Sequence, residues 1–570
     1  MSLDYRQLIK SVPLWLWYFL AAFTVIWFGV LDYRHLIPSD EGRYAEIARE
    51  MFASGDWLTP RYNDYKYFEK PPLQAWMTAL TYTLFGVGEW QARLWSALTS
   101  YLTLFAVGFT AYKLYGKSAG ISAALILGSA PLWAIAGHFN ALDAGLSSFM
   151  GLTLCSLLLA QRATLTPQAQ GNWMLACWGA MALAVLSKGL IGIALPGMVI
   201  IAYSVITRDW KLWQRLHIIK GCGLFLLITA PWFVLVSIKN PEFVHFFFIH
   251  EHFQRFSTDA HDRTAPFYYF VPILLLGFLP WLAQLPKIIT ISRRLLPEKN
   301  GFRPAILTLT WIVLIFVFFS ISHSKLSGYI LPIFPPLALL SGLALSKTGL
   351  VAWQWQILLL SLLALGGLLS LPRIAAMGAN STEQAAFSAY TGWIALALTI
   401  MLIGCISAWW LAKDRPLISV MTLASSLFLT SMIAGLGHET LGRLNSRIDL
   451  AEKIKPLLQD KDPFYSIHTL SHTLPFYLAH TMIMVETADE LAFGAQQEPE
   501  KFIPTLPQFL ARWQQEPRAF AIMPESSYIQ LKKMGSTMYE VARDHKYIVV
   551  AKHDFKNKNC LPFNPLELTH

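Results

Sequence analysis

Long apolar segments constrain the fold of this sequence more than any other feature. Windows of about 17–22 mostly apolar residues recur along the chain, and about 20 helical residues cross the hydrocarbon core of a bilayer. Hydrophobic residues make up 55% of the 570 residues and charged residues only 14%, an apolar excess over an ordinary soluble protein. The sequence therefore predicts a polytopic helical membrane protein.

The apolar windows predict about 13 membrane crossings followed by an outer C-terminal part. The expected spans are residues 13–31, 92–114, 118–137, 144–162, 172–187, 191–206, 218–237, 268–286, 304–321, 329–345, 354–371, 391–411 and 416–436.

Basic residues in the short loops predict the orientation of these spans. They cluster on one side, which the positive-inside rule makes cytoplasmic, together with an uncleaved N-terminal anchor. The net charge of +10 is explained by this rule and by anionic lipid, so we expect no nucleic-acid partner. The cytoplasmic basic residues are Arg6, Lys10, Lys113, Lys117, Arg162, Arg208, Lys211, Arg215, Lys220, Lys287, Arg293, Arg294, Lys299, Arg303, Lys347, Lys413 and Arg415.

Residues 71–88 are apolar but are not counted as a crossing. A crossing here would invert the side of every later basic loop. We therefore predict a helix that lies in the outer interface, anchored by Trp76, Tyr82 and Trp90.

The sequence divides into a membrane domain, residues 1–436, and a soluble outer α/β domain, residues 437–570. In the second, charged residues become frequent, and helical patches at 446–458 and 505–515 alternate with short apolar runs at 481–486, 518–523 and 546–551. We found no chemical motif in this domain, so we expect a stabilising or recognition role for it.

The membrane domain has two long outer loops, 32–91 and 238–267. The other outer connections are residues 138–143, 187–189, 322–328 and 372–390. Long polar connections commonly carry function, so we expect the active site on this side.

Acidic residues on the outer side are the first candidates for chemistry. Asp40 and Glu41 follow the first span, and Asp143 begins a later one. Such carboxylates can orient a sugar, stabilise positive charge at its anomeric carbon, or bind a metal or an amine. The alternative for Asp40 is a helix N-cap.

Basic residues on the outer side oppose the topology rule and need another explanation. A phosphate ligand provides one for Lys70, Lys188, Arg255 and Lys325, and Tyr329 lies beside the last of these. Lys70 precedes the N-terminus of the interfacial helix. A surface pair of little energetic value with Glu69 is the alternative.

Glu69 and His250 could form part of a divalent-metal site, such as a zinc site. The spacing lacks zinc-finger regularity, and a hydrogen-bonding histidine is the alternative. We expect no required cofactor. Four cysteines lie in apolar spans and Cys560 has no nearby partner in the sequence, so no disulfide framework is indicated.

Several of these motifs resemble those of the GT-C glycosyltransferases of the ArnT type. Those proteins are undecaprenyl phosphate-α-4-amino-4-deoxy-L-arabinose arabinosyltransferases, which modify lipid A and are relatives of the protein O-mannosyltransferases. The resemblance covers nearly the whole chain. At two places this sequence departs from the family: it has Leu-Ser-Lys where relatives often have Leu-Thr-Lys, and Lys-Leu-Ser-Gly where Lys-Leu-Pro-Gly is common. It rests on Asp40-Glu41, Phe68-Glu69-Lys70-Pro71-Pro72-Leu73, Glu89-x-x-x-Arg93-Leu94, Asp143, Leu186-Ser187-Lys188-Gly189 and Lys325-Leu326-x-Gly328-Tyr329-Ile330-Leu331-Pro332.

The resemblance implies an undecaprenyl phosphate-linked aminoarabinose donor, a lipid A acceptor and transfer on the periplasmic face of a bacterial inner membrane. It further implies resistance to polymyxin and cationic antimicrobial peptides, and we expect a monomer. Asp40 would be the principal catalytic carboxylate and Asp143 its partner. Lys70 and Arg255 would hold the carrier phosphate, and Glu69 with His250 would match a metal site. We assign substrate binding also to Glu41, Lys188, Lys325 and Tyr329.

The expected reaction is attack of a lipid A phosphate on the anomeric carbon, with inversion. Because that phosphate is already ionised, we expect Asp40 to orient and stabilise rather than to remove a proton. Two alternatives remain at this point. One is a related transferase with another sugar or a protein acceptor, and the other is a lipid transporter or flippase, against which no inverted repeat is evident.

Overall fold

The computed structural model describes residues 14–254 and 265–555, and for residues 252–254 it describes the backbone alone. Arg6, Lys10, Arg255 and Cys560, which entered the sequence predictions, lie outside this description.

In the part of the chain that the structure describes, one or more helices occupy every predicted span. The α-helices are Leu14–Gly29, Asp40–Ser54, Leu73–Phe85, Glu89–Tyr115, Lys117–Ser129, Pro131–Gly137, Leu142–Ala160, Pro167–Lys188, Ile191–Thr207, Ile218–Lys239, Glu242–Val244, Phe270–Phe278, Leu285–Arg294, Pro304–Ile321, Phe334–Leu345, Leu350–Leu369, Leu371–Ala375, Ser381–Leu411, Pro416–Gly437, Glu439–Ser446, Ile448–Ile454, Leu474–Leu478, Ala492–Gln497, Leu506–Gln515 and Glu525–Lys533. Short 3-10 helices are Trp210–Arg215, Trp281–Gln284, Ser327–Ile333, Asp489–Leu491 and Pro499–Lys501, and His245–Gln254 is a π-helix.

Eight helical segments of the described residues are long and apolar enough to cross a membrane, with Ser327–Leu345 counted as one segment. Two further pairs qualify only when each pair is counted as one span, and they bend by 66° between Ser129 and Pro131 and by 98° between Phe278 and Trp281. A proline lies at each break, and proline cannot continue a helix without losing a backbone hydrogen bond. Leu14–Gly29 and Ile191–Thr207 are apolar but shorter. A multi-pass membrane protein is therefore confirmed, whereas these helices do not establish 13 crossings.

The helix Leu73–Phe85 is too short to cross a bilayer. Its 13 residues extend about 20 Å, against a hydrocarbon core of about 30 Å. It begins directly after Pro71-Pro72, as predicted. The indole of Trp76 donates a hydrogen bond to the carbonyl oxygen of Trp57 (2.6 Å), which holds the helix against its own loop.

Two outer connections contain more helix than the sequence predicted. Residues 238–267 were expected to form a loop, but Glu242–Val244 and His245–Gln254 are helical, with the rings of Phe243 and Phe247 stacked at 5.2 Å. The helix Ser381–Leu411 begins ten residues before the predicted span because the Asn380 side chain caps it by accepting from the Glu383 N–H.

The C-terminal part contains a five-stranded mixed sheet, which confirms its predicted α/β character. Its strands, in the order in which they lie side by side, are β4 (Ile483–Val485), β3 (Phe464–Ile467), β5 (Phe520–Pro524), β7 (Tyr547–Ala551) and β6 (Tyr539–Arg543). Strand β3 pairs in parallel with β4 and β5, and β7 pairs antiparallel with β5 and β6. The strands β3 and β6 were not predicted. The strands of the chain are β1 (Arg61–Tyr62), β2 (Tyr65–Lys66), β3 (Phe464–Ile467), β4 (Ile483–Val485), β5 (Phe520–Pro524), β6 (Tyr539–Arg543) and β7 (Tyr547–Ala551), with β1 and β2 forming a separate hairpin.

The chain forms two compact units. The first, the helical unit, comprises Met1–Arg34, Gly88–Thr229 and Asp259–Thr440. The second, the loop unit, comprises His35–Val87, Ala230–Thr258 and Leu441–His570.

Segments distant in sequence meet inside the loop unit. The Asn63 side chain accepts from the Met482 N–H (2.6 Å) and donates to the Met482 carbonyl (2.7 Å). The Glu50 carboxyl group accepts from the backbone N–H groups of Asn63 (2.5 Å) and Asp64 (2.8 Å). The Asn63 bonds hold the β1–β2 hairpin against the C-terminal domain, and the Glu50 bonds hold it against the helix Asp40–Ser54, so the loop that follows the first span is an ordered part of this unit.

Candidate active site

Asp143, Lys188, Gly328 and Tyr329 form one cluster in the helical unit, called here the Asp143 cluster. Asp143 lies in the first turn of Leu142–Ala160, and Lys188 is the last residue of Pro167–Lys188. The Lys188 ammonium donates a hydrogen bond to the Asp143 carboxylate and lies 4.5 Å from the ring centroid of Tyr329. The structure thus brings together three of the predicted site residues.

Gly328 allows the close approach in this cluster. A Cβ atom at this position would lie 2.7 Å from Asp143 Oδ2 and 2.8 Å from its carboxyl carbon. The glycine of the Lys-Leu-x-Gly-Tyr motif is therefore explained by packing against a charged side chain. Its lack of a side chain leaves Asp143 room to meet Lys188.

Lys325 lies outside this cluster, in a buried position of the helical unit. Its ammonium donates hydrogen bonds to the carbonyl oxygens of Ala265 (2.9 Å) and Ser322. Burial lowers the pKa of Lys325 from its ordinary value. These bonds brace the turn before Ser327–Ile333, and a role in phosphate binding stays a prediction.

Asp40 is the first residue of the helix Asp40–Ser54 in the loop unit. Ser39 occupies the N-cap position and makes no side-chain cap bond, so Asp40 is not the N-cap that the alternative interpretation proposed. The Asp40 carboxylate is 32% exposed and lies 3.5 Å from Nη1 of Arg43. A partly exposed carboxylate at a helix N-terminus is suited to acting on a bound substrate.

Arg43 links Asp40 to the C-terminal domain within this unit. Its Nη2 donates a 2.7 Å hydrogen bond to Glu490 Oε1. Burial opposes the charge of Arg43, but the neighbouring Tyr67, Tyr44, Glu490 and Asp40 raise its pKa well above the ordinary value. Arg43 is therefore a fixed cation that orients the Asp40 carboxylate.

Glu41 is fully buried, and its Oε2 accepts the backbone N–H of Ile37 (3.0 Å). This bond closes the turn that precedes the helix. The structure gives Glu41 a part in holding Asp40, and its predicted role in substrate binding stays a prediction.

Glu69, Lys70, His250 and Glu251 form a second cluster in the loop unit, called here the Lys70 cluster. The Lys70 ammonium donates to the carbonyl oxygen of Glu69 (2.8 Å) and to Oε2 of Glu251 (3.2 Å). His250 Nδ1 lies 3.6 Å from Glu251 Oε1, and Glu69 Oε2 lies 3.8 Å from Lys70. Lys70, Glu69 and His250 were predicted site residues; Lys70 and His250 both contact Glu251, and Glu69 contacts Lys70.

The predicted metal site of Glu69 and His250 stays a prediction. Within residues 14–254 and 265–555, no group of three or more histidine, cysteine, aspartate or glutamate side chains is placed to hold one. The Lys70 ammonium lies near the carboxylates of both Glu69 and Glu251. A metal cation bound to these carboxylates would therefore repel the Lys70 ammonium. No reaction step is assigned to a metal.

Three site residues were not predicted: Arg43, Glu251 and Glu490. Arg43 follows Asp40 by three residues, a helical spacing that brings side chains together and that could have identified it. Glu251 adjoins His250 in the sequence. Glu490 lies 447 residues from Arg43, and no sequence pattern indicates that contact.

Two protein families match segments of the chain. Residues 450–552 match the aminoarabinose transferase C-terminal domain, which contains most of the five-stranded sheet domain. Residues 69–235 match the family of dolichyl-phosphate-mannose-protein mannosyltransferases, from Glu69 through most of the helix Ile218–Lys239.

Relatives named undecaprenyl phosphate-alpha-4-amino-4-deoxy-L-arabinose arabinosyl transferase are also similar. The protein from Pectobacterium carotovorum is 34% identical over 66% of this chain and 70% of its own length. The protein from Enterobacter sp. is 33% identical over 58% of this chain, and this match spans 59% of that relative.

A solved structure matches almost completely. ArnT from Cupriavidus metallidurans bound to undecaprenyl phosphate superposes with a TM-score of 0.91 and 45% identity, over 95% of this chain and 98% of that chain. Its apo state gives a TM-score of 0.90. The match spans nearly the whole of both chains, and this chain belongs to the ArnT-type family of undecaprenyl phosphate-aminoarabinose arabinosyl transferases, with their GT-C fold.

Proposed function

We propose that this protein transfers 4-amino-4-deoxy-L-arabinose from undecaprenyl phosphate to phosphate groups of lipid A. One observation carries the proposal: the similarity to ArnT bound to undecaprenyl phosphate, at 45% identity over 95% of this chain. Each unit carries charged groups of the kind that such a reaction requires, the Asp143 cluster in the helical unit and the Lys70 cluster in the loop unit.

The proposed step is a single displacement at the anomeric carbon of the sugar. An oxygen of the lipid A phosphate forms the new bond, and the bond from that carbon to the carrier phosphate breaks. The carrier phosphate leaves with the electron pair, and the configuration inverts. Lys70 stabilises the charge on the leaving phosphate, aided by Arg255, whose predicted role rests on the family resemblance.

Asp40 acts on the sugar in this proposal. As positive charge develops at the anomeric carbon, the carboxylate stabilises it, and Arg43 holds the carboxylate in position. Proton removal is not needed because the acceptor phosphate is ionised near neutral pH. Asp143, oriented by Lys188, positions the sugar or the acceptor.

The cellular setting is part of the proposal. We place the protein in the bacterial inner membrane as a monomer with about 13 crossings and a periplasmic active site. The distribution of basic loop residues supports this orientation. Addition of an aminosugar lowers the negative charge of lipid A, so we expect resistance to polymyxin and to cationic antimicrobial peptides.

Mass spectrometry of lipid A tests this function. Cells that express the gene should carry lipid A with added aminopentose, and cells lacking it should not. Expression of the Asp40→Asn variant at an equal level is the control for the chemistry.

A second candidate, suggested by the match to protein mannosyltransferases, is transfer of another sugar or transfer to a protein. Unmodified lipid A together with a newly glycosylated protein would favour it. A change in lipid distribution between the leaflets, with neither product, would instead indicate a transporter.

A further inference from the structure

Glu251 is a buried carboxylate in the Lys70 cluster to which the proposed reaction assigns no role. It lies on the π-helix His245–Gln254, and its side chain is 3% exposed, against 17% for Lys70. Its Oε2 lies 3.2 Å from the Lys70 ammonium and its Oε1 lies 3.6 Å from His250 Nδ1. Of the groups around Lys70, it is the most deeply buried.

The geometry makes Glu251 a competitor for the positive charge of Lys70. A carboxylate out of contact with water is stable only when a cation or several donors compensate its charge, and Lys70 supplies that charge here. An ammonium has three N–H donors, and two of them already point to the Glu69 carbonyl and to Glu251. A phosphate that binds Lys70 must share this ammonium with a nearby negative charge.

We infer that Glu251 is the internal counter-ion of Lys70, and that it weakens the binding of the carrier phosphate so that the spent carrier is released after transfer. The inference rests on the proposed function, since it takes a polyprenyl phosphate as the ligand of Lys70. Glu251 acts through Lys70 and is a positioning residue. It sets affinity and does not take part in bond formation.

The direction in which one substitution changes the affinity for undecaprenyl phosphate distinguishes this role from a structural one. Glu251→Gln keeps the size of the side chain and an acceptor oxygen but removes the charge. We expect undecaprenyl phosphate to bind this variant at least about tenfold more tightly, the scale on which hydrogen bonds to charged groups act. Loss of a purely structural contact would weaken binding or leave it unchanged.

A neighbouring ion pair provides a matched control. Glu242 lies 2.6 Å from Lys66, in the same unit and on the short helix directly before the π-helix. Glu242→Gln removes an equivalent charge from an equivalent lysine that has no proposed ligand. We expect its affinity for undecaprenyl phosphate to match that of the wild-type protein.

A double-mutant cycle tests whether the effect passes through Lys70. In a Lys70→Met background, Glu251→Gln should no longer give the tenfold gain, because the ammonium for which the two anions compete is absent. A gain of the same size without Lys70 would contradict the inference.

The experiment is equilibrium binding of undecaprenyl phosphate to the purified full-length protein in detergent micelles. If the wild-type protein does not bind it, the proposed function fails. If the wild-type protein binds and Glu251→Gln binds equally or more weakly, the function stands and this inference is wrong. If Glu251→Gln does not fold, Glu251→Asp is the alternative variant, because it moves the carboxylate away from Lys70 by the length of one methylene group. We expect it to bind undecaprenyl phosphate more tightly than the wild-type protein, by a smaller factor than Glu251→Gln. Unchanged affinity would overturn the inference.

Discussion

Asp40 combines partial exposure with a fixed cationic neighbour, and this combination gives a test at the scale of one residue. Asp40→Asn keeps the shape of the side chain and removes its charge. Because electrostatic stabilisation of a transition state commonly contributes about 10²–10³-fold, we expect kcat to fall by about 10²-fold with a smaller change in KM. Steady-state transfer kinetics measure this split. A folded Asp40→Asn protein with nearly full kcat would exclude the assignment.

Gly328 supports a second residue-scale prediction. In Gly328→Ala, the new Cβ would overlap the Asp143 carboxylate, so Asp143 must move away from Lys188. We expect at least a tenfold loss of transfer activity, measured in the same assay with detergent-purified protein.

Gly435→Ala is the matched control, because among the described residues no heavy atom of a neighbouring group lies within 4 Å of a Cβ at that position. It should keep its activity, since alanine favours a helix over glycine. Equal activity of the two variants would show that the packing of Gly328 against Asp143 has no part in the reaction.

Single residues also show what sequence reasoning can reach. Asp143, Lys188 and Tyr329 were predicted from charges on the outer side and from motifs, and the structure places them in one cluster. Glu490 could not be predicted as a site residue from the sequence, because its ion pair with Arg43 joins residues 447 positions apart. Local patterns predict which side chains are polar and where they lie along a helix, but not which distant side chain faces them.

At the scale of elements, the carboxyl ends of three adjacent parallel strands meet in a hydrogen-bonded group. His468 follows β3, Glu486 follows β4 and Ser527 lies beyond β5. His468 Nε2 lies 2.5 Å from Glu486 Oε2, and Nδ1 lies 2.8 Å from Ser527 Oγ. Glu486 Oε1 also accepts the Leu506 N–H (2.8 Å). The group joins three strand ends at one edge of the sheet.

The pH dependence of this edge follows from Glu486. The hydrogen bond from the Leu506 N–H, and after it the contact with His468, lower the pKa of Glu486 below its ordinary value. A carboxyl group whose pKa is lower in the folded state than in the unfolded state stabilises the fold. This stabilisation is fully present at pH values above the unfolded-state pKa of about 4.3. It is lost as the pH falls through the folded-state pKa.

We therefore expect Glu486→Gln to make the C-terminal domain easier to cleave by an acid protease at pH 5. The difference from the wild-type protein should shrink as the pH falls through the lowered folded-state pKa of Glu486, because the wild-type carboxyl group then becomes protonated as well. Comparing both proteins at each pH cancels the pH dependence of the protease. A difference that stays constant as the pH is lowered across the acid range would contradict this account.

Elements differ in how far the sequence predicted them. Residues 505–515 were predicted as helix and 518–523 as an apolar run, and the structure has Leu506–Gln515 and β5 there. The strand β3 is buried along its whole length, so it shows no alternation of apolar and polar residues that would identify it. The π-helix His245–Gln254 was expected to be a loop because its aromatic and charged residues are mixed without an apolar stripe.

At the scale of the whole molecule, composition and apolar windows were enough to predict a multi-pass helical protein with a C-terminal α/β domain. They were not enough to predict the number of crossings. Length and hydropathy do not distinguish a bent pair, such as Phe270–Phe278 with Trp281–Arg294, from one span. The family resemblance supplied the reaction class, which the 45% identity to ArnT over nearly the whole chain now supports.

The central claim is tested most directly by reconstituting the purified protein in liposomes with undecaprenyl phosphate-linked 4-amino-4-deoxy-L-arabinose and lipid A. We predict that mass spectrometry will detect lipid A carrying one or more aminopentose groups, together with free undecaprenyl phosphate, and that the Asp40→Asn protein will form this product about 10²-fold more slowly. Unmodified lipid A and intact donor after incubation with folded wild-type protein that binds undecaprenyl phosphate would contradict the account.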